Sequence, residues 1–190
     1  MDLLKGAVAG LVLVALGGAP ARPAQAQTAA AAVAEEQVKA AFLYNFAKFV
    51  DWTGKDESGS ASLLIGVVGD TVTARALEQA VQGKLLGRRP IVVRAIDDPR
   101  ELATCNLVFL GWMEAPRVKP LLEVLRGAPV LTVGQAPGFV QMGGMIGLFQ
   151  EDNKIRFDVN LGAAERARLK ISARLLALAR TVLREDGSGH

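Results

Sequence analysis

Short apolar runs separated by amphipathic stretches form the main pattern of this chain. Residues 63–69 form a continuous apolar run, which is typical of a parallel strand buried on both faces. Three more short apolar strands are predicted over residues 90–96, 106–111 and 129–133. Helical patterns follow the first run from Asp70 and the third run over residues 116–126, and Asp97-Asp98-Pro99 opens a short helical turn. This alternation predicts a mostly parallel sheet with right-handed crossovers.

The region after the fourth strand predicts a hairpin. Residues 154–160 alternate strictly between apolar and polar positions, which is the period of a half-buried strand. Asp152-Asn153 tolerates positive φ and can join this strand to the apolar run 145–150 in a tight turn. The expected fold is therefore a single-domain, doubly wound α/β sheet of about six strands flanked by helices.

One long helix is predicted over residues 162–184, with Asn160 as its N-terminal cap. Its apolar stripe has helical spacing: Ile171, Leu175, Leu178 and Val182. Ser172 is expected to pack against another helix. The opposite face carries Arg166, Lys170 and Arg174, which is either a solvated face or a surface for an acidic partner.

A helix is also predicted from about residue 34 to residue 50. Phe42, Phe46 and Phe49 fall on one side of it, a stripe that suits a core, with a partner or membrane surface as the alternative. Tyr44, Phe46 and Trp52 are therefore one candidate interaction surface.

The first 26 residues have the pattern of a secretory signal. Lys5 precedes the apolar run 7–16, and Ala24-Gln25-Ala26 offers a small-residue cleavage site. Ten apolar residues are too few to span a bilayer, which needs about 20, although an uncleaved anchor is the alternative. The predicted organisation is a signal peptide, a flexible leader, one α/β domain and a disordered tail: residues 1–26, 27–34, 35–184 and 185–190.

Composition argues against several kinds of chemistry. Cys105 is the single cysteine and His190, at the terminus, the single histidine. A zinc site normally takes several Cys or His ligands. A Ser-His or Cys-His pair needs an ordered histidine beside the nucleophile, and we do not expect the terminal His190 to be ordered. We therefore expect no metal, no cofactor and no catalysis. Cys105 is expected to be a buried thiol, with intermolecular pairing as the alternative. The net charge of +3, without a basic stripe interleaved with aromatic residues, argues against nucleic-acid binding.

Two glycine-rich segments are weighed as ligand sites. Gly66, Gly69 and Asp70 lack the third glycine of the dinucleotide fingerprint, so we interpret them as a tight turn with Asp70 as a helix cap. Gly143 and Gly144 indicate either a turn approached closely by another backbone or, with Phe139, a binding loop near the strand ends.

Several segments, taken in order, resemble one family: KAAFLYNFAKFVDW, GRRPIVV, TCNLVFL, LTV with F-x-x-x-GGMI, IRFDVNL and LKISARLLALA. Together they resemble the YfiR/HmsC-like family of periplasmic proteins over about residues 36–183.

The resemblance implies a periplasmic regulator, often dimeric, that restrains an inner-membrane diguanylate cyclase by binding its periplasmic sensor region. It also implies that an outer-membrane lipoprotein can sequester the regulator, so that cyclic di-GMP and biofilm output follow. Family members with extra cysteines form internal disulfides, which Cys105 alone cannot do. A periplasmic small-molecule sensor and an exported hydrolase are the alternatives, the second disfavoured by the missing histidine.

Overall fold

Eight strands form one sheet and two more form a small separate ladder in the computed structural model, which describes residues 24–52 and 62–184. The strands are β1 Val50–Asp51, β2 Leu63–Val68, β3 Leu85–Leu86, β4 Arg89–Ala95, β5 Leu107–Leu110, β6 Leu131–Gly134, β7 Ile146–Glu151, β8 Lys154–Asn160, β9 Lys170–Ile171 and β10 Thr181–Leu183. The helices are α1 Ala24–Lys48, α2 Thr71–Val81, the 3-10 helix Pro99–Thr104, α3 Ala115–Val124, α4 Leu161–Arg166 and α5 Ala173–Leu176.

The strand order in the large sheet is β10-β8-β7-β6-β5-β2-β4-β3. Strands β4, β2, β5, β6 and β7 run parallel, β8 is antiparallel to β7, and β10 is parallel to β8. This confirms the α/β class and the mostly parallel sheet, and adds the short edge strands β3 and β10 to the predicted set.

The central strands β2, β5 and β6 are buried on both faces of the sheet, as the continuous apolar run 63–69 predicts for β2. In β2, Leu63, Ile65 and Val67 point toward the cluster that includes residues of α1 and α2. Leu64 and Val68 pack against the second cluster, which contains residues of the 3-10 helix and α3. A strand buried on two sides cannot alternate polar with apolar positions, because each side needs apolar partners.

The caps and the hairpin turn that the sequence predicts are confirmed. Asp70 caps α2 by accepting a hydrogen bond from the Thr73 backbone N–H at 2.9 Å. Asn160 caps α4 through the Ala163 N–H at 2.8 Å. Asp152 and Asn153 have φ values of 48° and 58° and close the β7–β8 hairpin.

The predicted long C-terminal helix is wrong. Helix α4 ends in a Schellman motif: Arg168 adopts φ 57°, and the Leu169 N–H donates to the Ala164 carbonyl at 2.9 Å. Strand β9 then pairs with β1, placing Ile171 opposite Val50.

The predicted apolar stripe is consequently divided among separate elements. Leu169 and Ile171 are buried with the period of a strand, whereas Leu178 is 67% exposed. Ser172 caps α5, accepting a hydrogen bond from the Leu175 N–H, and its packing against another helix stays a prediction.

Helix α1 begins at Ala24, ahead of the predicted start near residue 34, and ends at Lys48. Six of the eight residues 27–34 are alanine or valine, and alanine has the highest helix propensity, which explains the longer helix. Residues 1–23 of the predicted signal peptide and the predicted tail 185–190 lie outside the described residues. Cleavage after Ala26 stays a prediction.

Candidate functional site

The carboxyl ends of β2 and β5, where this class of sheet usually binds ligands, lie in close contact. The Gly111 N–H donates to the Val68 carbonyl at 2.9 Å. A Cβ added at Gly111 would lie 2.7 Å from the Cβ of Asp70. The strand ends are therefore in contact, and Asp70 serves as a cap, as the sequence indicated.

Trp112, which lies two residues after the end of β5, is not among the residues predicted as candidates. Its side chain is 69% exposed, and Val72 at the start of α2 is 58% exposed. Tryptophan is enriched among the residues that dominate protein interfaces, and its position directly after the apolar run 106–111 is the signal that the sequence offers.

The loop after β6 holds Phe139 in the interior. The side chain is 2% exposed, and its ring fills the space that a Cβ of Gly134 or Gly144 would occupy. Asn160 ties the loop to the start of α4 by donating its Nδ2 to the Val140 carbonyl at 2.9 Å. The expectation that Phe139 lines a partner surface is therefore corrected, because the glycines serve its packing.

Two of the three candidates near the end of α1 are also core residues. Phe46 is fully buried, with its ring centroid 5.1 Å from that of Phe157. Trp52 is 6% exposed and donates its Nε1 to the Ala47 carbonyl at 3.3 Å. Tyr44 is half-buried beneath the ammonium group of Lys84, which lies 4.6 Å from its ring centroid, so Tyr44 alone of this set reaches the surface.

Arg166, Lys170 and Arg174 are all exposed, but they do not share one helix face. They lie on α4, β9 and α5 respectively, because the chain breaks its helix between them. Lys170 stands directly opposite Asp51 in the β1–β9 ladder.

A cavity of about 380 Å³ brings Gly143 and Arg166 together. It lies among the end of α3, the loop after β6 and α4; its other walls include Leu125, Arg126, Thr132, Met142, Met145 and Ala163. Thr132 is buried, and its hydroxyl accepts a hydrogen bond from the Met145 N–H at 3.0 Å. Arg126 pairs with Glu123. The walls combine charged and polar groups with apolar side chains, and a cavity of this volume can hold a small ligand or an inserted side chain.

A second cavity, of about 360 Å³, lies beside the β6–β7 loop. Arg180 forms part of its wall, donating to Asp158 at 3.1 and 2.7 Å. Its guanidinium stacks 3.9 Å above the centroid of the Phe149 ring. These hydrogen bonds to Asp158, with the nearby Glu151 carboxylate, raise the pKa of Arg180. The ion pair is a structural element of the wall.

Two further properties bear on the chemistry. In the part of the chain that the structure describes, no group of three or more His, Cys, Asp or Glu side chains is arranged to hold a metal ion. Of the helices within that part, none combines the length and hydropathy required to cross a bilayer.

Comparison with known proteins gives a family match over most of the chain. A family model described as YfiR/HmsC-like matches residues 36–180. Among solved structures, a conserved domain protein from Vibrio cholerae O1 biovar El Tor str. N16961 aligns with 13% identity and a TM-score of 0.43. That alignment covers 63% of this chain and 54% of the other, so the chain spans about half the length of that protein.

Proposed function

Since the chain belongs to the YfiR/HmsC-like family, we propose that it is an exported, non-enzymatic regulator that represses an inner-membrane diguanylate cyclase. The family is regulatory and periplasmic. The family match over residues 36–180 is the observation that carries the proposal. Repression lowers cyclic di-GMP and with it biofilm and exopolysaccharide output.

The regulator acts by binding one conformation of the periplasmic sensor region of the cyclase. A protein that binds only the inactive state shifts the population toward that state by its difference in affinity. The exposed cations Arg166, Lys170 and Arg174 suit an acidic surface on the sensor. An outer-membrane lipoprotein that sequesters the regulator would relieve repression, and a homodimer is the proposed free form.

The test combines a cellular and a binding measurement. Deleting the gene should raise cyclic di-GMP, and the purified mature chain should capture the sensor region. A variant with Arg166→Glu, Lys170→Glu and Arg174→Glu should lose capture. A matched control reverses three other exposed cations, Arg75, Arg117 and Lys119, and should retain capture. Unchanged cyclic di-GMP on deletion contradicts the cyclase as target, and equal capture by both variants contradicts the basic surface.

The cavity beside Gly143 and Arg166 supports a second candidate, a periplasmic small-molecule sensor. Its volume of about 380 Å³ is within the range of ligand sites. A ligand that binds only the folded state raises the melting temperature with its concentration. A screen of periplasmic metabolites by thermal shift, repeated with Thr132→Val, would separate binding in this cavity from binding elsewhere.

A further inference from the structure

A third cavity, of about 350 Å³, lies at the amino ends of β2 and β5, away from the surfaces considered above. The residues that matter for its chemistry are polar or cationic: Ser62, Arg89, Arg94, Thr104 and Asn106. No carboxylate is among the described residues that line it. Arg89 and Arg94 therefore bring two positively charged groups to this wall.

Asn106 supplies an unused hydrogen-bond donor in this wall. The residue is 4% exposed. Its side-chain Oδ1 accepts a hydrogen bond from the Leu64 backbone N–H at 3.0 Å, and its backbone N–H donates to the Leu64 carbonyl at 2.8 Å. The first of these bonds fixes the orientation of the amide, because a flipped amide would set Nδ2 against the Leu64 N–H. The Nδ2 group has no acceptor among the described residues. Buried donors in folded proteins nearly always have an acceptor.

Two guanidinium groups stand in the same wall. Arg89 is 9% exposed, and its Nη2 donates to the Ser62 carbonyl at 3.1 Å, which holds the group in place. Arg94 lies 3.7 Å from the Glu101 carboxylate, but both side chains are at least half exposed. Such exposed pairs are weak, so Arg94 can turn toward a ligand in the cavity.

We propose that this cavity binds the oxyanion group of a small metabolite, a phosphate or a carboxylate. Guanidinium groups match the geometry of both anions, and hydrogen bonds between ionised groups are the strongest that side chains make. The Asn106 amide then finds the acceptor that the protein does not supply. The site is independent of the family match and of the proposed regulatory target.

The test uses the full mature chain with inorganic phosphate and, separately, succinate, at constant ionic strength with chloride as the reference anion. We expect saturable binding by calorimetry, and a shift of the Asn106 side-chain amide protons in NMR spectra. If only phosphate binds, the cavity takes phosphate-bearing ligands. If only succinate binds, the cavity takes carboxylates. Failure of both anions to bind in a saturable way overturns the proposal.

Two substitutions test whether the anion binds in this cavity. Asn106→Asp keeps the acceptor for Leu64 but replaces the donor with a negative oxygen, and should abolish binding. Arg94→Gln changes a half-exposed side chain, so it should fold normally and bind about tenfold more weakly, or about 1.4 kcal/mol. Arg100→Gln is the control, because Arg100 is paired with Asp98 outside the cavity. Wild-type affinity in Arg94→Gln, or equal losses in Arg94→Gln and Arg100→Gln, overturns the assignment.

Discussion

Asp158 on β8 binds Arg180, which precedes β10, through two parallel hydrogen bonds of 3.1 and 2.7 Å. The Arg180 backbone N–H also donates to the Phe157 carbonyl at 2.9 Å. Strand β10 has only three residues, and its side chains are exposed or half-buried. The ion pair therefore holds the last strand against the sheet where apolar burial contributes little.

Replacing Arg180 should weaken the attachment of β10 to β8 and lower the stability of the fold. Arg180→Lys keeps the charge but cannot make both bonds to one carboxylate, and Arg180→Ala also leaves the buried Asp158 carboxylate without its cation. We expect the urea midpoint to fall for both, and further for Ala. The control is Arg184→Ala, an exposed arginine just beyond β10. A lysine variant as stable as wild type would show that the forked geometry contributes nothing.

Gly144→Ala should destabilise the fold because the new methyl group would overlap the Phe139 ring. Overpacking of this kind costs about 1–3 kcal/mol. Phe139→Leu replaces the ring with a smaller side chain, so the double variant Gly144→Ala with Phe139→Leu should lose less stability than the two single losses added together. Urea unfolding of all four proteins measures this coupling. Strict additivity would mean that the glycine is required for another reason.

Thr73→Val should weaken the attachment of α1 to α2. Thr73 is fully buried, and its hydroxyl lies 2.6 Å from Asp70 Oδ2 and also contacts Glu36 on α1. Valine has the same shape but leaves these carboxylate oxygens without the hydroxyl, for which we expect a loss of about 1–3 kcal/mol. Thr71→Val, on the exposed side of the same turn, is the control. Equal unfolding free energies for the two variants would contradict a role for the hydroxyl.

Asp98 should titrate below its ordinary range. Hydrogen bonds from the Arg100 side chain, and then from the Arg100 backbone N–H, lower the pKa of Asp98. Because the pKa is lower when folded than when unfolded, the stabilisation is present above about pH 4 and is lost as the pH falls through the folded pKa. Carbonyl NMR should show the pKa rising in Arg100→Ala, but only in part, since the backbone donor remains. If the pKa of Asp98 is unchanged in Arg100→Ala, the guanidinium does not cause the lowering.

Elements set by neighbouring residues were predictable from the sequence. The Asp152-Asn153 turn, the Asp70 and Asn160 caps and the doubly buried β2 each depend on contacts or patterns within a short segment. The C-terminal helix was not predictable in the same way. Ile171 has helical spacing relative to Leu175, yet its backbone pairs with Val50, far away in the chain. Tertiary pairing overrode local propensity there.

The candidate surfaces were harder to predict for a related reason. Apolar and aromatic residues in a stripe fit a core and an interface equally well, and the structure assigns Phe46, Trp52 and Phe139 to the core. Phe139 can lie in the core because Gly134 and Gly144 have no side chains, and its ring fills the space that those side chains would take. The sequence shows those glycines but not which ring lies between them. Likewise, Arg94 and Asn106 come together only through the order of β4, β2 and β5.

Cys105, the single cysteine of the chain, is fully buried, and its Sγ would lie 2.8 Å from a Cβ added at Gly66. Maleimide reagents therefore cannot reach the native thiol unless the sheet opens. New cysteines can be introduced at exposed sites and labelled with fluorophores or spin probes without first removing the original one. Because the thiol is shielded in the native state, the rate at which Cys105 is alkylated measures how often the core opens transiently.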